Sequence, residues 1–444
     1  MDWSKLPDVG VVALLTVAFA SVARIRRNSV SGVWLVGWLM IVLQFFAFMF
    51  LPAPGHWGDL ANFVSTASLV SAGVLFTWAS VPYRMQTSSR WMVAALLATY
   101  TLYLGLLVIA PVASWALAPA AVLIGASPLA ITLFALPRFI RPLRWAIVTL
   151  NVGLSIFLLT FQHRAGYGTS LAFNAVFFTV YFGCCIHFWC AYKRATAGAF
   201  ITIAGFFAWA AVFVVGPLIF AFSPNLHLES EVWNLPKYVV AVGMILLLLE
   251  DQIEHNKYLA LHDELTGLPN RRLFQDRLAS ALERARRTGS QAALLLVDLD
   301  HFKQVNDTVG HHIGDKLLQS VSEIFVGRVR RSDTVARTGG DEFSVILEEP
   351  TNREEAMRVG HSLTQLLDNP FQLEGHTVRI GATVGIAVFP QDASDAESLC
   401  IAADLRMYAG KHASRNSGSV ESPPSFPLEP FSAGDVKVGL RFAK

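Results

Sequence analysis

The chain has 444 residues, of which 53% are hydrophobic and 15% are charged, and its formal net charge is +2. A globular domain carries about 25% charged residues, so part of this chain is far more apolar than a soluble domain. The near-neutral net charge gives no reason to expect nucleic-acid binding, which usually shows a strongly basic surface, and no nucleic-acid partner is expected. The four cysteines do not form the pattern of a disulfide framework.

The first 250 residues are a series of apolar segments separated by short polar loops. Most segments approach the roughly 20 residues that cross a bilayer, and they lack the polar stripe of a soluble core helix. They lie near 9–23, 32–53, 60–82, 91–113, 114–136, 145–162, 170–192, 198–222 and 234–250. The sequence therefore predicts an all-α polytopic membrane domain over residues 1–250, in contact with lipid, with about nine helices (eight if the short first segment is not a span).

Lysine and arginine are concentrated in alternate loops, which sets the orientation of such a domain. One set of loops carries Arg24, Arg26, Arg27, Arg84, Arg90, Arg138, Arg141, Arg144, Lys193 and Arg194. The other set has only Lys5, Arg164 and Lys237, together with Asp2, Asp8, Asp59, Glu229 and Glu231. This asymmetry predicts an N-terminus outside the cell and a cytoplasmic location for everything after residue 250. An odd number of spans gives the same orientation.

A few polar side chains interrupt the apolar segments. His187 lies among Cys184, Cys185 and Cys190, which raises ligand or metal binding as one interpretation and a hydrogen bond to a neighbouring helix as the other. No second cluster of metal ligands accompanies these residues, which favours the hydrogen bond. Asn62, Asn151 and Asn174 are interpreted as interhelical hydrogen-bonding residues.

The last apolar segment continues into a heptad-like pattern over residues 246–262. Its apolar and small positions, with one polar position, are Leu246, Leu249, Ile253, Asn256 and Ala260. A seam of this kind is typical of a parallel helical dimer in which the polar residue fixes the register. The segment is predicted to be a helical coiled-coil linker.

After residue 263 the chain has the mixed pattern of an α/β domain. A turn precedes a predicted helix over 271–288, and an apolar strand over 292–297 ends in Asp298, Leu299 and Asp300. Carboxylates at the end of a buried strand are costly unless they bind a cation, and a hard ion such as Mg²⁺ prefers oxygen ligands.

Two further strands, predicted over 334–337 and 343–347, flank a turn with the sequence Thr338 to Glu342. Gly339 and Gly340 leave the backbone bare there, so that a triphosphate can approach closely. Asp341 and Glu342 follow them and can ligate the same cation as Asp298. Upstream, Lys303 is a candidate phosphate ligand, and Asn306 with Asp315 can recognise the donor and acceptor edge of guanine.

These blocks together resemble the GGDEF family of diguanylate cyclases over residues 263–416. The resemblance lies in the hairpin Gly339 to Phe343 and in the DELTGLPNRR, LVDLDHFKQVND and GHHIGD blocks. It implies an adenylyl-cyclase-like or palm-like α/β (α+β) fold with a central antiparallel sheet. It also implies a bacterial inner-membrane protein that condenses two GTP into cyclic di-GMP and two pyrophosphates, as a homodimer.

The resemblance assigns roles to individual residues. Two Mg²⁺ ions per site, with Mn²⁺ as an alternative, would be held by Asp298, the Leu299 carbonyl, Asp341 and Glu342. Lys303, Phe302 and the hairpin glycines would contact phosphate, as would Lys411 and Arg415 near the end of the domain, and Asn306 and Asp315 would bind guanine. Asp341, Glu342 and Lys303 would be catalytic, and Arg330 with Asp333 would form a site at which the product inhibits the enzyme.

Two alternatives remain: a membrane receptor that binds GTP or cyclic di-GMP without catalysis, and a transporter that carries this domain as a regulatory part. The Pro-, Ser- and Gly-rich segment 417–444 is predicted to be largely disordered.

Overall fold

The computed structural model describes residues 1–25, 29–79, 87–108, 110–134, 141–161, 168–192, 195–223, 230–349 and 352–416. The chain divides into two units, Met1–Glu254 and His255–Lys444. The predicted disordered segment 417–444 lies outside the described residues.

The first unit is all α-helical in its described residues, as predicted. Its helices are α1 Leu6–Ile25, α2 Ser29–Phe48, α3 His56–Ala79, α4 Thr87–Val108, α5 Ala110–Phe134, α6 Arg141–Phe161, α7 Gly168–Ala191, α8 Ala197–Phe222 and α9 Ser230–Leu261. Six described helices, α1 to α3 and α7 to α9, are long and apolar enough to cross a membrane. The described apolar parts of α4, α5 and α6 span 10–17 residues, so the number of nine spans stays a prediction.

Polar side chains inside this unit mostly hydrogen-bond within their own helix. The Asn174 amide and the His187 ring contact the carbonyl oxygens of Ser170 and Gly183, at 2.9 and 2.8 Å, so the expected bonds to neighbouring helices are wrong for both. Asn151 does form one, because its Oδ1 accepts a hydrogen bond of 2.7 Å from the Tyr100 hydroxyl.

The assignment of Lys237 and Asp8 to polar loops is also wrong. Both residues lie inside helices, α9 and α1, and their side chains are buried. A hydropathy window places a lone charge at the edge of a span, but here each charged group finds polar partners inside the bundle. Most of the basic loop side chains that support the predicted orientation lie outside the described residues.

The second unit is a sheet covered by helices. Its elements are α10 Arg271–Thr288, β1 Ala292–Asp300, α11 Phe302–Val309, α12 His311–Arg328, β2 Thr334–Arg337, β3 Glu342–Glu348, α13 Arg353–Leu367, β4 Phe371–Leu373, β5 His376–Val378, β6 Gly381–Phe389 and α14 Ala396–Asn416. Four strands form an antiparallel sheet in the order β2-β3-β1-β6, and β4 pairs with β5 separately. The predicted central antiparallel sheet is confirmed.

Side chains alternate between the two faces of β1, and this alternation forms two cores. Leu295 and Val297 pack with apolar residues of α12 and α13, whereas Leu294 packs with residues of α10 and α14. Asp298 has the same parity as Leu294, so it lies on the face covered by α14.

Two strands, β1 and β3, are longer than predicted. β1 continues through Asp300, because its pairing with β6 extends to the Asp300–Gly381 pair. Glu342 begins β3 instead of ending the turn, since it pairs with Asp298. Strand pairing therefore sets the positions of Asp298, Asp300 and Glu342.

Candidate active site

The pairing of β1 with β3 brings the predicted acidic residues together. Asp298 lies directly opposite Glu342, and the Leu299 amide donates a 3.2 Å hydrogen bond to the carbonyl oxygen of Asp341. From the helix that covers this face, Lys411 places its Nζ 2.7 Å from Oδ2 of Asp298. Paired positions on one sheet face hold their side chains within interaction distance. The site therefore combines three carboxylates with one ammonium group.

Negative charge accumulates at this end of the sheet. Burial raises the pKa of Glu342, and the neighbouring carboxylates of Asp298 and Asp341 raise it further, while Lys411 opposes them. Burial also raises the pKa of Asp300, with a smaller contribution from Asp298. A cation placed among these oxygens would relieve the repulsion and lower these pKa values.

The two hairpin glycines differ in their surroundings. A Cβ added to Gly339 would lie 2.5 Å from Oε2 of Glu342, whereas a Cβ on Gly340 would meet nothing within 4 Å. The turn is closed by hydrogen bonds from the Thr338 and Gly339 amides to the Glu342 carbonyl, at 3.0 and 3.4 Å. Gly339 thus makes room for the Glu342 carboxylate, and Gly340 leaves an open approach to the backbone.

A residue that the motif analysis missed fixes the hairpin in place. The guanidinium of Arg337 donates to the Gly340 carbonyl at 3.1 and 2.7 Å and to Oδ1 of Asp263 at 2.9 Å. Hydrogen bonds from Thr266 and Arg337 lower the pKa of Asp263, although burial alone would raise it. Arg337 therefore ties the hairpin to the DELTG loop. In the sequence, the only indication of this role is that Arg337 directly precedes the turn.

The segment after β1 presents backbone donors. His301 adopts a left-handed conformation with φ of 61°, and its side chain makes no capping hydrogen bond to α11. Phe302 is buried and Lys303 is exposed at this end of the helix. The first amides of a helix have no partner within the helix, and they favour an anion such as phosphate.

One predicted guanine-binding residue carries an unsatisfied atom. Oδ1 of Asn306 is buried and has no hydrogen-bond partner among the described residues. It packs against Gly314, where an added Cβ would lie 1.8 Å away. Asp315 follows on α12 and is exposed. A buried acceptor without a donor costs about 1–3 kcal/mol, so this amide is suited to a ligand that supplies an N–H.

Close packing of α14 on β6 positions Lys411. A Cβ on Gly385 would lie 2.1 Å from the Ala403 carbonyl oxygen and 2.6 Å from the Met407 amide nitrogen. Only glycine permits this approach, and Lys411 follows Met407 by one helical turn. Arg415 lies on the same helix, and its side chain is outside the described residues.

The predicted inhibitory pair lies elsewhere on the unit, and it does not form the simple surface ion pair of Arg330 with Asp333. Asp333 accepts hydrogen bonds from the backbone amides of Arg330 and Glu348, at 2.9 and 3.1 Å. The Arg330 guanidinium instead contacts Oε1 of Glu355 at 2.7 Å. A cavity of about 220 Å³ adjoins them, and Arg328 and Arg358, both missed by the sequence analysis, also line it.

No group of three or more histidine, cysteine, aspartate or glutamate side chains in the described ranges is arranged to enclose a metal ion. This does not conflict with a magnesium site, because Mg²⁺ keeps several waters and takes one or two carboxylates plus substrate phosphates. The oxygen-only donor set at Asp298, Asp341 and Glu342 matches that ion.

Comparison with known proteins identifies the second unit. Residues 260–417 match the family described as "Diguanylate cyclase, GGDEF domain". The C-terminal unit is a GGDEF domain. Its closing helix α14 ends at Asn416, just inside the matched range.

Relatives of this GGDEF domain occur in several named proteins of Pseudomonas aeruginosa. The bifunctional diguanylate cyclase/cyclic di-GMP phosphodiesterase MucR is 41% identical over 193 residues, 40% of this chain and 28% of MucR. The diguanylate cyclase TpbB is 39% identical over 170 residues, 38% of this chain and 39% of TpbB. The cyclic di-GMP phosphodiesterase NbdA is 39% identical over 172 residues, 38% of this chain and 22% of NbdA.

The crystal structure of the TpbB GGDEF domain is 39% identical, covers 33% of this chain and 92% of that one, and has a TM-score of 0.33. The chain thus spans less than half the length of the three curated relatives named above. The similarity lies in the GGDEF domain.

Proposed function

We propose that the protein is a diguanylate cyclase that condenses two GTP molecules into cyclic di-GMP and two pyrophosphates. The observation that carries this proposal is the pairing of Asp298 with Glu342 beside the Gly339–Gly340 turn, with Lys411 against Asp298. A carboxylate pair and an exposed turn backbone on one strand pair, with an ammonium group from the covering helix α14, are suited to phosphoryl chemistry.

The proposed metal is Mg²⁺, with Mn²⁺ as an alternative, held by Asp298, the Leu299 carbonyl, Asp341 and Glu342. When bound, the ions would neutralise phosphate charge and lower the pKa of the attacking hydroxyl. The raised pKa of Glu342 supports this assignment, because it reflects burial and then repulsion by Asp298 and Asp341, and a cation would relieve that repulsion. Lys411 partly fulfils that role through its contact with Asp298.

The protein would bind both the triphosphate and the guanine base of GTP. Lys303, the amides of His301 and Phe302, and the open backbone at Gly340 would contact phosphates, and Lys411 and Arg415 would add positive charge. Asn306 and Asp315 would bind the guanine edge, which offers N–H donors that adenine does not present in that arrangement. The unsatisfied Oδ1 of Asn306 supports this role.

Two such sites are needed, because the 3′-hydroxyl of one GTP attacks the α-phosphorus of the other and displaces pyrophosphate. Asp341 would accept or steer the hydroxyl proton. We propose a homodimer formed through residues 246–262, where the apolar side chains of Leu249 and Ile253 are exposed. The helical unit would place the protein in the bacterial inner membrane as a multi-pass protein, with the GGDEF domain in the cytoplasm.

Product inhibition is proposed at the cavity beside Arg330 and Asp333. Three arginines and three carboxylates line it: Arg328, Arg330, Arg358, Asp333, Glu348 and Glu355. The guanidinium groups could bind phosphate, and Asp333 holds the turn through backbone amides. Cyclic di-GMP carries two phosphates, which guanidinium groups bind in a planar, two-point geometry.

A non-catalytic receptor for GTP or cyclic di-GMP is the second candidate. It is favoured by one observation: NbdA, a relative over this domain, is named only as a phosphodiesterase. The two candidates predict the same ligands and differ in turnover.

The test uses the full chain in lipid nanodiscs with GTP and Mg²⁺. Pyrophosphate and cyclic di-GMP should accumulate, Asp341→Ala should abolish both, and Arg330→Ala should relieve inhibition by added product. Asp276→Asn, which changes an exposed carboxylate on α10, is the matched control and should behave as wild type. Tight GTP binding without turnover would favour the receptor.

A further inference from the structure

A cavity of about 250 Å³ lies inside the helical unit. It is bounded by the C-terminal halves of α2 and α8 and by the N-terminal halves of α3, α7 and α9. Five aromatic side chains line it: Phe48, Phe177, Trp209, Phe213 and Trp233. Polar side chains line it as well, and Lys237 is the one charged residue among its described lining.

Lys237 lacks a direct anionic partner in the described part of the bundle. Its side chain is 7% exposed, and Nζ donates to Oδ1 of Asn234 at 2.9 Å and to Oε1 of Gln44 at 3.4 Å. The ammonium also lies 4.3 Å from the centre of the Phe45 ring. Neutral amides and the face of an aromatic ring only partly replace the hydration that the ammonium loses on burial.

The nearby Asp8 carries the opposite charge but is not directly bonded to the Lys237 ammonium. Its two carboxylate oxygens accept hydrogen bonds from the Tyr238 hydroxyl at 2.7 Å and from Nδ2 of Asn234 at 3.0 Å. Asn234 therefore stands between Asp8 and Lys237 and bonds to both. Asp8 is not part of the described cavity lining, so the cavity has a cationic wall without an anionic one.

Trp209 forms a rigid aromatic wall of the cavity. The residue is fully buried and lines the cavity, and its indole Nε1 has no hydrogen-bond acceptor among the described residues. Its ring is held by stacking on Tyr181, with 3.9 Å between ring centroids. Trp34 and Trp38, which do not line the cavity, also have indole N–H groups without an acceptor among the described residues, so the contribution of Trp209 to the cavity is its ring.

We propose that this cavity binds a small monoanion, a carboxylate attached to an apolar body. The ammonium of Lys237 is the charged donor, and the aromatic side chains, including Trp209, contact the apolar part. Ligand pockets usually measure about 300–1,000 Å³, so this cavity suits a compact ligand and is too small for a nucleotide. The same chemistry is found in a soluble carboxylic acid and in a membrane fatty acid.

The location would give such a ligand access to the linker helix. Lys237 and Asn234 both belong to α9, the helix that continues to Leu261 through the predicted coiled-coil segment. The binding site is inferred from the cavity alone and does not depend on the proposed cyclase activity.

The test measures binding directly, by calorimetry on the full chain in phosphatidylcholine nanodiscs. The probes are phenylacetate and octanoate, each compared with its neutral amide. At least one carboxylate should bind ten times more tightly than its amide. Lys237→Gln should weaken that binding at least tenfold, while Lys5→Gln, which removes a lysine outside the cavity, should not.

Two milder variants keep the test decisive if Lys237→Gln does not fold. Trp209→Phe shortens one aromatic wall, and Ser65→Leu fills part of the cavity, and neither changes Lys237; both should weaken carboxylate binding. Binding of phenylacetate would indicate a soluble ligand, and binding of octanoate alone a membrane fatty acid. The proposal is overturned if neither carboxylate binds better than its amide, or if folded variants of the cavity bind as well as wild type.

Discussion

Buried charge is compensated differently in the two units. In the GGDEF domain, Asp298 lies against Lys411, and Asp392 contacts both Arg353 and Arg406. In the helical unit, Lys237 and Asp8 do not contact each other, and each bonds to the side-chain amide of Asn234. Near solvent, two charged groups form an ion pair at a modest desolvation cost. Inside an apolar bundle, hydrogen bonds to neutral amides partly compensate a buried charge instead. A buried charge in the helical unit without a directly bonded counter-charge therefore says more about function than an ion pair in the GGDEF domain does.

Neutral polar side chains in the bundle say less about function. Thr16, Thr99 and Thr179 each donate to the carbonyl oxygen four residues earlier in their own helix. Such bonds satisfy a hydroxyl without any neighbour. Contacts between helices, such as that of Tyr100 with Asn151, are the ones that report tertiary structure.

The largest expected effect is on turnover. Asp298→Ala should lower the rate of pyrophosphate release about 10³-fold, because removing one group that stabilises developing charge costs about 10²–10³ in rate. The measurement is the steady-state rate with saturating GTP and Mg²⁺, and Asp276→Asn is the control. A rate within threefold of wild type would remove Asp298 from the site.

The ion-pair network at Asp392 should dominate local stability. Asp392 accepts from Arg406 at 2.8 Å and from the Val388 amide at 2.7 Å, and these bonds lower its pKa to about 2 although burial alone would raise it. Asp392→Asn should destabilise the domain by about 3 kcal/mol, because it leaves two arginines without their anion. Hydrogen exchange of the β6 amides in urea measures this change.

The same group gives a pH dependence with a defined sign. The pKa of Asp392 is lower in the folded domain than its ordinary value, so its stabilisation is fully present above about pH 4. It should be lost as pH falls from about 4 towards 2, and Asp392→Asn should flatten that part of the profile. If the stability of the Asp392→Asn variant fell below about pH 4 as steeply as that of the wild type, this account would be contradicted.

Packing of α14 on the sheet should come next in size. Gly385→Ala places a Cβ against the backbone of Ala403 and Met407, so we expect a loss of about 2 kcal/mol, typical of overpacking. Gly327→Ala, in α12 with nothing within 4 Å of the added Cβ, should instead stabilise by about 0.5–1 kcal/mol. Hydrogen-exchange rates of the domain's backbone amides in urea distinguish the two variants. Equal effects would mean that the close approach is not needed.

The smallest effect is expected in the helical unit. Tyr100→Phe leaves Oδ1 of Asn151 without its interhelical donor and should cost about 0.6 kcal/mol, the average for such bonds in membranes. Thr160→Val removes an exposed bond to the Ile156 carbonyl of the same helix and should change little. Unfolding of the full chain by titration with denaturing detergent measures both. A larger loss for Thr160→Val would reverse the comparison between the two kinds of bond.

Local signals made much of the GGDEF domain predictable. The helix predicted over 271–288 is α10, because Asn270 caps its first amides and Gly289 ends it with φ of 69°. The strand over 334–337 and the glycine turn also agree, since turn chemistry and alternation are local. The acidic residues were recognisable because their motif places them on paired strands.

Long-range contacts were not predictable in this way. Arg337 and Asp263 are 74 residues apart, and the contact of Gly385 with the backbone of α14 follows from tertiary packing. In the helical unit, hydropathy located apolar segments but placed Lys237 in a loop, because composition cannot show which neighbours satisfy a charge. The sequence therefore located the acidic motifs of the GGDEF domain better than the residues that hold them in position.

The most direct test of the central claim is the identity and stoichiometry of what the protein makes from GTP. Full-length protein in nanodiscs would be incubated with GTP and Mg²⁺, and the products separated by chromatography and identified by mass. We predict cyclic di-GMP with two pyrophosphates per molecule, and no product from ATP. Unchanged GTP in the presence of tight nucleotide binding, or release of inorganic phosphate alone, would contradict a cyclase.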